Sequence, residues 1–266
     1  MKSITIGQYY AVDSPIHRLD PRVKLFATLV FIVALFLAQT PAAFGLAIVF
    51  LAFYVHISKV PLRYILRGLK PVLFLLIISV LFNLLLTKGE VVFSIWKIQI
   101  TREGIIFSAF MAVRLIMLII GASMMTYTTT PNQLTDGLEK SFGFLSKIHV
   151  PVHEIAMMMS IALRFIPILT EETDKIMKAQ MARGADFESG RLIRRVMNMI
   201  PLLVPLFISA IRRAGDLSLA MEARCYHGGE GRTKMRPLRY KAADYIAYAV
   251  ILLFLAGMIL LKVFHI

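Results

Sequence analysis

The chain has 266 residues, of which 58% are hydrophobic and only 17% are charged. These values exclude an ordinary soluble domain and indicate a protein that crosses a membrane several times. The formal net charge is +14, but the basic residues are concentrated in particular loops, so we attribute it to an anionic membrane face and not to binding of nucleic acid.

The first part of the chain predicts a polar arm followed by a helical hairpin. Residues 1–22 are polar and basic and the first apolar run begins only at Leu25, so we expect no cleavable signal peptide. Apolar runs at 25–38 and 42–55 flank residues 39–41 (Gln-Thr-Pro). This pattern is typical of two membrane helices joined by a short, uncharged turn.

Two further spans are predicted before the middle of the chain. A basic loop at 56–70 leads to a third span from Pro71 to about Leu86. The polar loop after it contains a short strand-like piece at 91–100, and a fourth span follows at 104–127.

The second half predicts long amphipathic helices on the cytoplasmic side and one last span. Residues 128–132 (Thr-Thr-Thr-Pro-Asn) predict the start of a short amphipathic helix, with Thr or Asn available as the cap and Pro131 near its first turn. Two long helical segments follow, and a last apolar run extends from about Ala242 to Val263. We therefore predict an all-α polytopic membrane protein. Its parts are an arm with four transmembrane helices (1–127), a cytoplasmic helical region (128–241) and a last transmembrane helix (242–266).

Each of the two long segments ends in an alanine–arginine pair, Ala182-Arg183 and Ala223-Arg224. Stepping back from either arginine by alternating three and four residues gives a mostly apolar stripe, because that spacing keeps residues on one face of a helix. One basic residue at a helix C terminus is expected, since the helix dipole stabilises it by about 0.3–1 kcal/mol. Two arginines at equivalent stripe positions support docking to a partner as well as they support this stabilisation of a helix end.

The distribution of basic residues predicts five crossings. Residues 1–24, the 56–70 loop and the 128–241 region hold 25 of the 30 lysines and arginines, and cytoplasmic loops are enriched in these residues. A five-span chain places all three regions in the cytoplasm, the amino terminus inside and the carboxyl terminus outside. If the apolar stretches 155–169 and 197–211 crossed instead, the basic residues between them would lie outside.

Two groups of polar residues contain side chains that could bind a metal ion. Glu171, Glu172 and Asp174 form an acidic cluster, but the sequence shows no second cluster for a magnesium-bound diphosphate, so we favour a solvated helix face. His149 and His153 have the spacing of a helical metal pair, but a proline lies between them and favours exposed imidazoles where a helix begins.

Arg114 lies inside the fourth predicted span, where a charge costs about 2.5–3.5 kcal/mol on insertion scales. It is expected to face protein, water or a partner, in either a structural or a transport role. The glycine-rich stretch 228–233 lacks the spacing of a phosphate-binding loop, so any ATP would be hydrolysed by a partner. The one cysteine, Cys225, excludes an intramolecular disulfide.

Six stretches, taken in order, carry a specific family resemblance: residues 20–25, 130–139, 162–167 with 179–184, 201–206, 220–224 and 232–233. Together they resemble the transmembrane T component of energy-coupling factor (ECF) transporters, the family that includes the cobalt-transport permease, over nearly the whole chain. One position departs from the family's pattern. Cys225 stands where the second Ala-Arg-Gly motif has glycine, which makes a left-handed turn less accessible there.

The resemblance implies an energy-coupling subunit of an ABC importer for vitamins or other micronutrients, without enzymatic activity, in the plasma membrane of a bacterium. In that family the T component joins two ABC-type ATPases to a small substrate-binding membrane subunit, the S component. No metal and no cofactor is implied for this chain, because the partner ATPases bind the ATP. The implied ATPase-coupling residues are Ala182, Arg183, Gly184, Ala223, Arg224 and Cys225.

Two other functions are weighed against this one. A membrane enzyme could use the acidic cluster and the basic face on an anionic lipid substrate. A self-sufficient carrier should show repeated halves and polar groups inside its spans, and Arg114 alone is little support for that.

Overall fold

The computed structural model describes residues 9–87, 89–95, 98–187, 192–228, 235 and 237–264. These residues form an all-α polytopic membrane protein with one small β-hairpin, so the predicted fold class is confirmed. Trp96, Arg232 and Thr233 lie outside the described residues.

Helices account for most of the described chain. In chain order they are α1 (Pro21–Leu37), α2 (Pro41–Ser58), α3 (Leu62–Leu86), β1 (Val91–Ile95), β2 (Ile98–Thr101), α4 (Arg102–Thr128), α5 (Pro131–Ser141), α6 (Val152–Ala182), α7 (Leu192–Ala223) and α8 (Ala242–Val263). A 3₁₀ helix at Gly143–Ile148 connects α5 to α6. The strand-like piece at 91–100 proves to be an antiparallel hairpin of β1 and β2.

The chain divides into two compact units. One comprises Met1–Gly137 and Leu238–Ile266, and the other comprises Leu138–Pro237. The first contains α1–α4 and α8, and the second contains α6 and α7. These units are not the three-part division at 127 and 241, which stays a prediction.

Six helices of the described chain are long and apolar enough to cross a membrane, judged by length and composition: α2, α3, α4, α6, α7 and α8. A multi-pass membrane protein is therefore confirmed. Helix α1, with 17 residues, is outside this set. The five-span count, which includes α1 and leaves α6 and α7 in the cytoplasm, stays a prediction.

The start of α1 is fixed by buried polar contacts within the first unit. Asp20 caps the helix by accepting the Arg22 N–H at 2.9 Å, and its own N–H donates to the Asp244 carboxylate at 2.8 Å. The buried ammonium of Lys24 donates to the carbonyl of Thr128, the last residue of α4, at 2.7 Å. A cation at a helix C terminus is favourable because of the helix dipole. This network explains the Asp-Pro-Arg-Val-Lys sequence at 20–24, since it ties α1 to α4 and α8.

The apolar core of the first unit lies between α1, α2, α4 and α8. Phe50 of α2 and Phe254 of α8 stack with ring centroids 4.2 Å apart, and Phe31 of α1 stacks on both. Gly121 of α4 lies against Phe31, where an added Cβ would come within 2.5 Å of the ring. The close approach of α4 to α1 therefore requires glycine at this position.

The loop predicted at 56–70 is largely helical, which corrects the sequence-based boundary. Helix α2 ends at Ser58, and α3 begins at Leu62 and continues through Pro71. Proline was expected to begin the span, but membrane helices tolerate interior proline because neighbouring groups satisfy the freed backbone atoms.

Arg114 contacts the turn between α1 and α2. Its Nη2 donates to the carbonyl of Ala38, which caps the C terminus of α1, at 2.6 Å, and its guanidinium lies 5.4 Å from the centre of the Phe44 ring. Of the two roles left open by the sequence, the contacts favour the structural one, because the arginine satisfies a helix-terminal carbonyl and stabilises the α1–α2 turn.

Candidate functional site

Helix α6 ends at the first alanine–arginine pair in a Schellman motif. Ala182 is its last residue, Arg183 is the cap, and Gly184 adopts a left-handed conformation with φ of +87°. The Gly184 N–H donates to the carbonyl of Met181 at 3.0 Å, and the Ala185 N–H donates to that of Gln180 at 3.0 Å. These two bonds satisfy carbonyls that a helix end leaves without partners.

Helix α7 ends with the same backbone pattern at the second pair. Ala223 is its last residue, and Cys225 takes the left-handed position with φ of +55°. The Cys225 N–H donates to the carbonyl of Glu222 at 2.9 Å, and the Tyr226 N–H donates to that of Met221 at 3.1 Å. Residue by residue, these bonds match those at the end of α6.

The left-handed conformation of Cys225 answers the question raised by the missing glycine. Cysteine has a Cβ, which makes this conformation less favourable by about 1–2 kcal/mol. The chain nevertheless adopts it, because the two hydrogen bonds of the Schellman motif require it. The departure from Ala-Arg-Gly therefore leaves the shape of the helix end unchanged.

Both arginines are exposed at these ends. Within the described residues, neither guanidinium has a hydrogen bond or an ion pair, although exposed carboxylates occur on both helices. A planar guanidinium presents five donors in a fixed arrangement that suits carboxylates and carbonyls. The pair of helix ends thus presents two cations, each in the same backbone setting.

Helices α6 and α7 contact each other through a polar bridge, defined here as Glu172, Ser209 and Arg213. Arg213 Nη2 donates to Glu172 Oε2 at 2.8 Å and Nε donates to the same oxygen at 3.2 Å, while Ser209 donates to Oε1. This corrects the interpretation of the acidic cluster as a solvated helix face for one member, because Glu172 pairs across to α7, whereas Glu171 is exposed. No periodicity or spacing indicates this pair, because its members are 41 residues apart on two different helices.

The two histidines lie in different local settings. His149 follows the 3₁₀ helix in a left-handed conformation, whereas Nδ1 of His153 bonds with Glu139 at 2.9 Å. No group of three or more His, Cys, Asp or Glu side chains suited to a metal ion occurs in the ranges that the structure describes.

The chain is similar to known transport proteins over most of its length. A family model described as cobalt transport protein matches residues 13–235. The energy-coupling factor transporter transmembrane protein EcfT of Clostridium kluyveri is 54% identical over 250 residues, which are 93% of this chain and 92% of that protein. The chain belongs to the family of energy-coupling factor (ECF) transporter transmembrane proteins.

Relatives in other organisms match over similar lengths. The EcfT protein of Thermosediminibacter oceani is 50% identical over 98% of both chains. That of Lactococcus lactis is 43% identical over 95% of this chain and 96% of its own. The resemblance to ECF T components is thereby confirmed. These relatives are named as transporter components, and none of the three is named as an enzyme or as a self-sufficient carrier.

Proposed function

We propose that this ECF transmembrane protein couples two ABC-type ATPases to a substrate-binding S component in an importer for vitamins or other micronutrients. The bacterial cell membrane is its location. The ATPases bind and hydrolyse the ATP, and the S component determines which substrate is carried. The chain itself contributes no catalytic residue, metal or cofactor.

The observation that carries this proposal is the identical construction of the two helix ends. Each Schellman motif holds the backbone on both sides of its arginine, so the guanidinium is presented from a fixed point. A guanidinium bound in a groove follows the movement of that groove closely, because its planar set of donors forms hydrogen bonds only over a narrow range of geometries. Two such ends on helices that contact each other can convert movements of two ATPases into movement of one membrane subunit.

The test is removal of the arginines in the complete transporter. Arg183→Ala or Arg224→Ala should weaken assembly with the ATPases or uncouple uptake from ATP hydrolysis, and the double change should abolish transport. Truncating one partner of a buried, hydrogen-bonded charge pair costs about 2–5 kcal/mol, partly because the other group is left unpaired. Lysine at either position should restore little, since it keeps the charge and loses the fork. The measurements are co-purification of the ATPases and substrate uptake in proteoliposomes.

Matched controls are exposed basic residues on the same two helices. Lys178→Ala and Arg212→Ala each remove one positive charge without altering a helix end. Both should assemble and transport normally. A double arginine variant that assembles with both ATPases and transports at the wild-type rate would show that the two pairs are only helix ends.

A further inference from the structure

The polar bridge uses both oxygens of the Glu172 carboxylate. Ser209 occupies Oε1 and Arg213 occupies Oε2, and these two partners lie four residues apart on one face of α7. The side chain of Glu172 is 23% exposed and that of Arg213 is 40% exposed. Two donors from one helix face thus hold a single residue of the other helix in a defined position.

Apolar burial does little to hold α6 and α7 together. In the described part of these helices, Ala156 and Leu202 are the buried apolar residues. Near the bridge, the residues Leu203, Phe207 and Ile208 are all more than half exposed. Hydrophobic stabilisation is proportional to the apolar area removed from water, so the few fully buried residues account for only part of what positions the two helices. The bridge adds a directional contact to it.

The bridge is placed at equal distances from the two helix ends. Glu172 stands eleven residues before Arg183, and Arg213 stands eleven residues before Arg224. At a rise of about 1.5 Å per residue, each arginine is about 16 Å along its helix from the bridge. Eleven residues are also close to three full turns of about 3.6 residues, so each arginine lies near the azimuth of its bridging residue.

We propose that Glu172 is a positioning residue that locks α6 and α7 at a common pivot, so that the two arginine ends move as one unit. This inference rests on the proposed function. With the bridge intact, displacement of one end by an ATPase turns both helices about the pivot. Without it, one helix slides or rotates past the other, and ATP is hydrolysed with less substrate carried.

The experiment measures substrate transported per ATP hydrolysed by the complete transporter in proteoliposomes. Glu172→Gln and Arg213→Gln should each lower this ratio by about three- to fivefold, the scale expected for a partly exposed ion pair, while ATP hydrolysis continues. The matched controls are the neighbouring residues Glu171→Gln and Arg212→Gln, which change the charge equally without touching the bridge. Both controls should keep the wild-type ratio. Ratios are taken on complexes isolated through an ATPase tag, so differences in expression do not enter.

Charge reversal provides the second arm. The double variant Glu172→Arg with Arg213→Glu should recover most of the ratio, because it restores an ion pair between the same positions. The inference is overturned if both glutamine variants keep the ratio of their controls. It is also overturned if they reduce the yield of complex but leave the ratio of the remaining complex unchanged, because the bridge would then serve folding alone. Normal transport by the double arginine-to-alanine variant would instead overturn the proposed function.

Discussion

Gly184 and Cys225 occupy the same position in the two helix ends, but the left-handed conformation there costs them different amounts of free energy. Both adopt a left-handed conformation, which is open to glycine and unfavourable for a residue with a Cβ. A Cβ added at Gly184 would meet no atom within 4 Å. The cost of a side chain there is therefore the backbone conformation alone and not a clash.

This difference predicts unequal effects of alanine at the two positions. Gly184→Ala should lower the local free energy of opening of the α6 end by about 1 kcal/mol, because it adds a Cβ to a left-handed residue. Cys225→Ala should change the α7 end by less than about 0.5 kcal/mol, since a Cβ is already present. Hydrogen exchange of the amides at positions 184 and 185, and at 225 and 226, measures both. Equal losses at the two ends would contradict this account.

Among the helices, the start of α1 depends on a charged cap. Burial raises the pKa of Asp20, but hydrogen bonds from the Arg22 side chain and N–H outweigh it and hold the pKa below the ordinary value of 3.8. A carboxylate whose pKa is depressed by folding stabilises the folded state at pH values above its unfolded pKa. That contribution is lost as the pH falls through the folded pKa.

Asp20→Asn should therefore lower the thermal unfolding midpoint at about pH 6, and this difference from the wild type should shrink as the pH approaches about 3. Asparagine is still an effective cap, so the variant isolates the charge from the cap hydrogen bond. Asp13→Asn is the control, because the Asp13–Arg18 pair is well exposed and contributes little. A difference between wild type and Asp20→Asn that does not change with pH would contradict a charge-dependent cap.

Element boundaries show how far the sequence could predict the fold. Local signals succeeded where they act through adjacent residues: one of the threonines predicted as a cap, Thr130, caps α5, and α8 spans the predicted run at 242–263. The start of α3 was missed because hydropathy marks the apolar run from Pro71, whereas the helix begins nine residues earlier in a basic segment. Glu172 was missed for another reason. Periodicity places residues on a face of their own helix, whereas its partners belong to a different helix that only the fold brings close.

At the candidate site, too, the local sequence predicts some features and not others. The repeated Ala-Arg pair and the glycine after the first one predict where the two helices end, and the structure ends both at those alanines. A glycine-to-cysteine change argues against a second left-handed turn when propensity alone is considered. The turn forms because backbone hydrogen bonds outweigh a cost of about 1–2 kcal/mol.

For the molecule as a whole, the open question is which helices cross the membrane. Length and composition admit α6 and α7, whereas the distribution of basic residues keeps them inside. The five-span chain predicts that Glu90 lies outside and Asp186 inside. In a Cys225→Ser background, Glu90→Cys should react with an impermeant maleimide added to intact cells, and Asp186→Cys should react only after permeabilisation. Reaction of position 186 from outside would show that α6 and α7 cross.

The one thiol of the chain lies immediately after Arg224, and it is exposed. The unaltered protein therefore carries its own chemical reporter at one of the two helix ends. Alkylation of Cys225 by iodoacetamide proceeds at the rate of a free surface thiol when that end is open to water, and a protein docked over Arg224 shields the sulfur. The alkylation rate at each stage of an ATP cycle, divided by the rate for the isolated chain, measures the fraction of that end left open. This needs neither a mutation nor an attached probe.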